Sequence, residues 1–82
     1  MSDASIYEEL RWDLMRFATA LVGPDEAADV VSAVVCRGIS RRGGLASLSD
    51  PKPYLIRSVQ NEARTLHRAR VRRPVGQIAV AD

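Results

Sequence analysis

Residues 51–70 read PKPYLIRSVQNEARTLHRAR. Pro51 suits the first position of a helix, and Ser49 or Asp50 before it suits the cap. At about 100° per residue, the apolar positions gather on one side of this stretch and the basic positions on the opposite side. The spacing therefore predicts a helix near 50–71. Its core side carries Leu55, Ile56, Val59, Ala63 and Leu66, and its basic side carries Arg57, Asn61, Arg64 and Arg68.

Two further helices are predicted ahead of this one. The first covers residues near 5–22, opens on a Ser5–Glu8 capping box, and ends at Gly23 in a left-handed cap. Its apolar positions recur at helical spacing, at Ile6, Leu10, Leu14, Phe17 and Leu21. The second covers residues near 24–40, with Pro24 at its first position. Its apolar stripe is Val30, Val31, Val34, Val35 and Ile39.

A loop over residues 40–50 separates the second and third helices. At roughly eleven residues it is long for a connection between packed helices, and long loops in small domains are often functional. It carries Arg41 and Arg42. The sequence thus predicts an all-α domain of three helices over residues 1–73, with a long loop before the basic third helix. Residues 74–82 are predicted to be a linker or a flexible C-terminal tail.

The composition argues against several classes of protein. One cysteine and one histidine in 82 residues cannot supply an internal disulfide or a metal site of the usual ligand count. No apolar run approaches the roughly 20 residues of a membrane span, and no secretory signal opens the chain. We expect a cytoplasmic protein that is not an enzyme. We expect no catalytic residues, no metal, no cofactor, no small-molecule substrate and no membrane contact.

The charges are divided between the two parts of the chain. Residues 1–29 hold seven acidic side chains and two arginines, a net charge of −5, whereas residues 30–82 hold ten basic and three acidic side chains, a net charge of +7. All but one of the twelve basic residues are arginine, which suits bidentate contacts to phosphates and base edges. The pattern indicates a C-terminal half that binds a polyanion; a solvated basic helix is the alternative.

The order of these segments resembles the second conserved region of bacterial extracytoplasmic-function (ECF) sigma factors. The matching stretches are LMRFATALVG at 14–23, DEAADVV at 25–31, YLIRSVQNEAR at 54–64 and RARVRR at 68–73. The chain departs from the family where Ser32 and Ala33 replace a glutamine-glutamate pair, Val35 an aromatic residue and Tyr54 a tryptophan. The resemblance covers residues 8–73 and does not extend to the family's second, helix-turn-helix domain.

The resemblance implies a transcription initiation factor domain with two partners. The second helix would bind the β′ subunit of RNA polymerase core. The third helix and the loop before it would bind the promoter minus-ten element as it opens, with an unpaired base held by residues 41–49. An anti-sigma factor is a further partner of such domains. The implied polymerase-binding residues are Asp25, Asp29, Ser32, Ala33 and Arg37, and the DNA-binding residues are Arg41, Arg42, Arg57, Asn61, Arg64, Arg68 and Arg72.

Two other functions remain open. A polymerase-independent three-helix DNA-binding module would have a short turn between its last two helices, and the loop argues against it. A sigma-like protein-interaction module, held by an anti-sigma factor, fits the altered Ser32-Ala33 segment. Single residues also have ordinary structural explanations. The acidic residues that begin the second helix would stabilise its dipole. Trp12 and Tyr54 would be core aromatics, and Cys36 would be an inert, half-buried thiol. Asn61 suits a base contact and a brace for the loop equally.

Overall fold

The computed structural model describes residues 2–72. Three α-helices make up the domain: α1 (Asp3–Val22), α2 (Pro24–Ser40) and α3 (Pro51–Arg72). Residues 2–72 contain no strand, so the prediction of an all-α three-helix fold is confirmed, with helix bounds that differ from the predicted ones by at most two residues. The predicted tail, residues 74–82, lies outside the described residues, and so does the predicted domain boundary at residue 73.

The three helices enclose one apolar core. Asp13 of α1 contacts Lys52 near the start of α3, and Glu26 of α2 contacts Arg70 near its end. Therefore α3 runs in the same direction as α1 and opposite to α2. Side chains from all three helices and from the connection between α2 and α3 are fully buried, among them Leu14, Val34, Leu45, Leu55 and Val59.

The cap of the first helix lies three residues earlier than the sequence predicts. Ser2 is the N-cap: its hydroxyl accepts a hydrogen bond from the Ser5 amide at 3.2 Å, and its own amide donates to the Ser5 hydroxyl at 3.1 Å. The predicted Ser5–Glu8 capping box is therefore wrong. Both serines have a polar residue three positions later, and the cap at Ser2 places Asp3 in the positive first turn.

A single residue, Gly23, joins α1 to α2. Its amide donates to the Thr19 carbonyl at 2.9 Å, which closes α1, and Pro24 then begins α2. The predicted left-handed cap is wrong in one respect: φ is +88°, as such a cap requires, but ψ is 164°. Only glycine enters this region readily, so Gly23 allows a one-residue hairpin between two helices.

The connection over residues 41–50 is anchored to the rest of the domain. Its middle is a 3₁₀ turn, Leu45–Ser47, with Leu45 completely buried. One carboxylate oxygen of Asp3 accepts hydrogen bonds from the Leu45 amide at 2.9 Å and the Ala46 amide at 3.3 Å. The predicted long loop is therefore not confirmed as such: the connection contains a 3₁₀ turn that α1 caps.

The Asp3 cap leads to a stability prediction. Asp3→Ala should lower the free energy of unfolding by about 1–2 kcal/mol, because two backbone donors lose their acceptor. In hydrogen exchange the Leu45 and Ala46 amides should lose protection first. Asp3→Asn, which keeps an oxygen acceptor, should retain most of that protection. Equal protection in the wild type and the alanine variant would mean that burial of Leu45 alone holds the connection.

Candidate nucleic-acid interface

The exposed side of α3 is basic. Its core residues Leu55 and Val59 are fully buried against α1 and α2, and Ile56, Ala63 and Leu66 are half-buried beside them. Because the core residues occupy one side of the helix, its opposite side is exposed to solvent. Four of the predicted DNA-binding residues are exposed there, and we call them the arginine face: Arg57, Asn61, Arg64 and Arg68.

The arginines of this face are not neutralised within the described part of the chain. None of the ion pairs formed within residues 2–72 includes Arg57, Arg64 or Arg68. The acidic residues near α3 are engaged on its other side: Glu62 pairs with Arg37 of α2, and Glu26 of α2 pairs with Arg70. Among the described residues, the arginine face therefore carries three guanidinium groups that form no ion pair with a carboxylate.

Of the remaining predicted DNA-binding residues, Arg41 lies beside the first turn of α3. Arg41 and Arg42 are exposed, and the Arg41 guanidinium lies 5.0 Å from the centre of the Tyr54 ring in the first turn of α3. This cation–π contact places Arg41 near the beginning of the helix. Arg72 is the last residue of α3, and its side chain lies outside the description.

The predicted polymerase-binding residues fall into two groups. Asp25, Asp29 and Ser32 are exposed and follow one another at spacings of four and three, so they share the outer side of α2. Ala33 is half-buried, and Arg37 is turned toward α3 by its ion pair with Glu62. Only the first three therefore form a common surface, which we call the outer face of α2.

Two single-residue expectations are wrong. Cys36 is exposed rather than half-buried, and it lies four residues after Ser32 on the outer face of α2. Trp12 is 65% exposed, with the Arg11 guanidinium 4.9 Å from its ring centre, so it is not a core aromatic. The reason is angular: Trp12 lies about 200° from the buried Leu14 around α1. Tyr54 is half-buried at the edge of the core, as expected.

A groove between α1 and α3 was not apparent from the sequence. This groove is open to solvent and has a volume of about 370 Å³. Leu21, part of the apolar repeat of α1 and expected in the core, is instead 47% exposed on one wall. The parallel packing of α1 on α3 creates this groove, and nothing in the sequence spacing indicates which ends of the helices meet. The wall from α3 consists of Gln60, Ala63, Arg64 and His67.

Within residues 2–72 no helix has both the length and the apolarity needed to cross a membrane. The same range contains no cluster of histidine, cysteine and carboxylate side chains suited to a metal ion. Comparisons with protein-family models, curated proteins and solved structures found no match to the chain.

Proposed function

We propose that this chain is a sigma-type promoter-binding domain. In this proposal α2 binds RNA polymerase core at the β′ subunit, and α3 binds the minus-ten element as it opens, in the cytoplasm. The arginine face is the observation that supports it most, because three exposed guanidinium groups without carboxylate partners suit a phosphate backbone. The resemblance of the sequence to the second region of ECF sigma factors supplies the specific partners.

The energetics of the arginine face favour a polyanion over a merely solvated surface. Arg64 and Arg68 are four residues apart, a spacing at which like charges destabilise a helix. A phosphate backbone would relieve that repulsion and release counterions on binding. Arg57 and Arg68 are about 16 Å apart along the helix axis, roughly five steps of a strand that rises 3.4 Å per nucleotide.

Asn61 gives this surface a means of sequence recognition. It is exposed on the same face as Arg57 and Arg64. Arginines hold phosphates and fix the position of the strand, whereas an asparagine amide can bind a base edge through two hydrogen bonds. In the proposed complex, residues 41–49 hold one unpaired base. Transplanting that segment from another sigma factor should then change which base is preferred.

The outer face of α2 is the proposed polymerase-binding surface. Asp25 and Asp29 make it acidic, and Ser32 adds an exposed hydroxyl group. Arg37 contributes indirectly, because its ion pair with Glu62 fixes α2 against α3. Reversing the charge of Arg37 would place two carboxylates together, so a test of docking has to leave that residue intact.

Charge reversal at Asp29 tests polymerase binding. Asp29→Arg should weaken binding to purified polymerase core by about tenfold or more, because unfavourable charge contacts at an interface cost several kcal/mol. Residue 29 lies beyond the first turn of α2, so the helical circular-dichroism signal should not change. Pull-downs with and without pre-melted minus-ten DNA give the measurement. The control is Glu9→Arg on α1, which makes the same change in net charge. Equal losses in both variants would argue against this docking surface.

The exposed Trp12 supports a second candidate, a sigma-like module held by another protein. Tryptophan and arginine are enriched at protein interfaces, and here Arg11 lies over the exposed ring. An anti-sigma factor is the partner that the resemblance suggests. A chain that binds neither polymerase core nor pre-melted DNA in the pull-downs would favour this candidate. The third alternative, a polymerase-independent DNA-binding module, would bind DNA equally well with and without polymerase.

A further inference from the structure

We propose that the groove between α1 and α3 binds one unstacked nucleobase of the strand held by the arginine face. This inference rests on the nucleic-acid contact in the proposed function and adds a second base position, away from residues 41–49. The groove is lined by Leu21 of α1 and by Gln60, Ala63, Arg64 and His67 of α3. Its volume of about 370 Å³ accommodates a nucleobase and part of its sugar.

The lining side chains match the two kinds of surface on a base. Leu21 and Ala63 provide apolar contact for the flat face of the ring. Gln60 is exposed and has both a donor and an acceptor for a base edge. Arg64 and His67 bring planar groups of the kind on which unstacked bases lie in single-strand complexes. The combination suits a base better than a purely apolar side chain.

The groove also adjoins the arginine face. Arg64 belongs to both surfaces, and Gln60 and His67 are next to Asn61 and Arg68 in the sequence of α3. A strand whose phosphates contact the arginines therefore passes the opening of the groove. One base can turn inward there without lengthening the path of the backbone.

A second groove in the domain differs from this one in the charge of its lining residues. It is similar in size, about 310 Å³, and is also formed by α1 and the beginning of α3. Two acidic residues, Glu9 and Asp50, and one basic residue, Lys52, line it, and Lys52 is paired with Asp13. The acidic side chains therefore disfavour a phosphate strand there. No acidic side chain lines the groove at Leu21. Charge complementarity therefore favours this groove for nucleic acid.

An abasic scan tests the proposed base site. Single-stranded minus-ten oligonucleotides, each lacking one base, are titrated against the wild type, Leu21→Ala and Gln60→Ala. For the wild type, one abasic position should weaken binding by about fivefold or more, as expected for the loss of one stacked base. The two variants should bind the intact strand about three- to fivefold more weakly and show little further loss at that position. Ile39→Ala, which trims an equally exposed aliphatic residue of α2, should retain the wild-type pattern.

The possible failures can be told apart. If both groove variants lose as much affinity as the wild type at every abasic position, no base occupies the groove. That conclusion holds even if arginine substitutions still abolish DNA binding. If the wild type does not bind any single strand, the nucleic-acid function itself fails. A protein occupant would appear as unchanged DNA binding by Leu21→Ala together with weaker binding to polymerase core, which also overturns the base site.

Discussion

Replacing Arg57, Arg64 and Arg68 together by glutamine should weaken binding to a single-stranded minus-ten oligonucleotide by at least about a hundredfold at low salt. Three charge-assisted contacts would be lost, and each contributes more than about 1 kcal/mol. The log–log dependence of affinity on salt should flatten by about 0.7 for each lost phosphate contact, or about 2 in total. Glutamine preserves helix propensity, so the circular-dichroism spectrum and the unfolding midpoint should change little.

A matched control separates the arginine face from the total charge of the protein. The triple variant Arg11→Gln, Arg16→Gln, Lys52→Gln removes the same net charge from basic residues that are ion-paired with α1. It should keep nearly the wild-type affinity and salt slope. If the arginine-face variant also keeps the wild-type slope, this face does not contact phosphate, and the protein-interaction module becomes the better proposal.

Asn61 separates base recognition from phosphate binding on the same surface. If it contacts a base edge, Asn61→Ala should lower affinity less than the loss of the arginines and leave the salt slope almost unchanged. The preference for one base at one position should then disappear. Unchanged sequence preference would mean that Asn61 contacts no base.

The helices could be predicted from local patterns, because each has a stripe of apolar residues and a clear stop. Pro24 and Pro51 each mark a first helical position, and both starts match the structure. The start of α1 could not be chosen from the sequence, since Ser2 and Ser5 offer competing caps and only the tertiary contact of Asp3 with the 3₁₀ turn distinguishes them. Local signals therefore determined the elements, and contacts between distant residues adjusted their ends.

The candidate interface was predictable only in part, for a related reason. The helical period shows that Arg57 and Arg64 face away from the core. It cannot show which arginines are neutralised, because those ion pairs join different helices. Arg37 and Glu62 are 25 residues apart, and no sequence pattern favours that pair over others. For the same reason Arg37 was assigned to a docking surface, whereas the structure turns it toward α3.

The connection before α3 shows the same limit at Leu45 and Leu48. The two leucines are the same residue type in an otherwise small and polar segment, and nothing in the sequence distinguishes them. In the structure Leu45 is fully buried and Leu48 only half-buried. The difference comes from Gly38 of α2, where an added Cβ atom would lie 2.6 Å from Leu45 Cδ2. The missing side chain at position 38 makes the space that admits Leu45 into the core.

Leu45→Ala should therefore cost as much stability as a substitution in the middle of a helix. We expect a loss of about 2–5 kcal/mol, because a fully buried leucine leaves a cavity that the surrounding helices cannot close. Small domains have total stabilities of roughly 5–15 kcal/mol, and a domain of this size loses about 4–8 °C of Tm per kcal/mol. Urea and thermal unfolding followed by circular dichroism give the measurement. The control is Leu21→Ala, the same chemical change at an exposed position, which should stay within about 0.5 kcal/mol of the wild type. A loss below about 1 kcal/mol for Leu45→Ala would mean that the connection folds independently of the core. In that case Asp3, rather than Leu45, would hold residues 41–50 beside the arginine face.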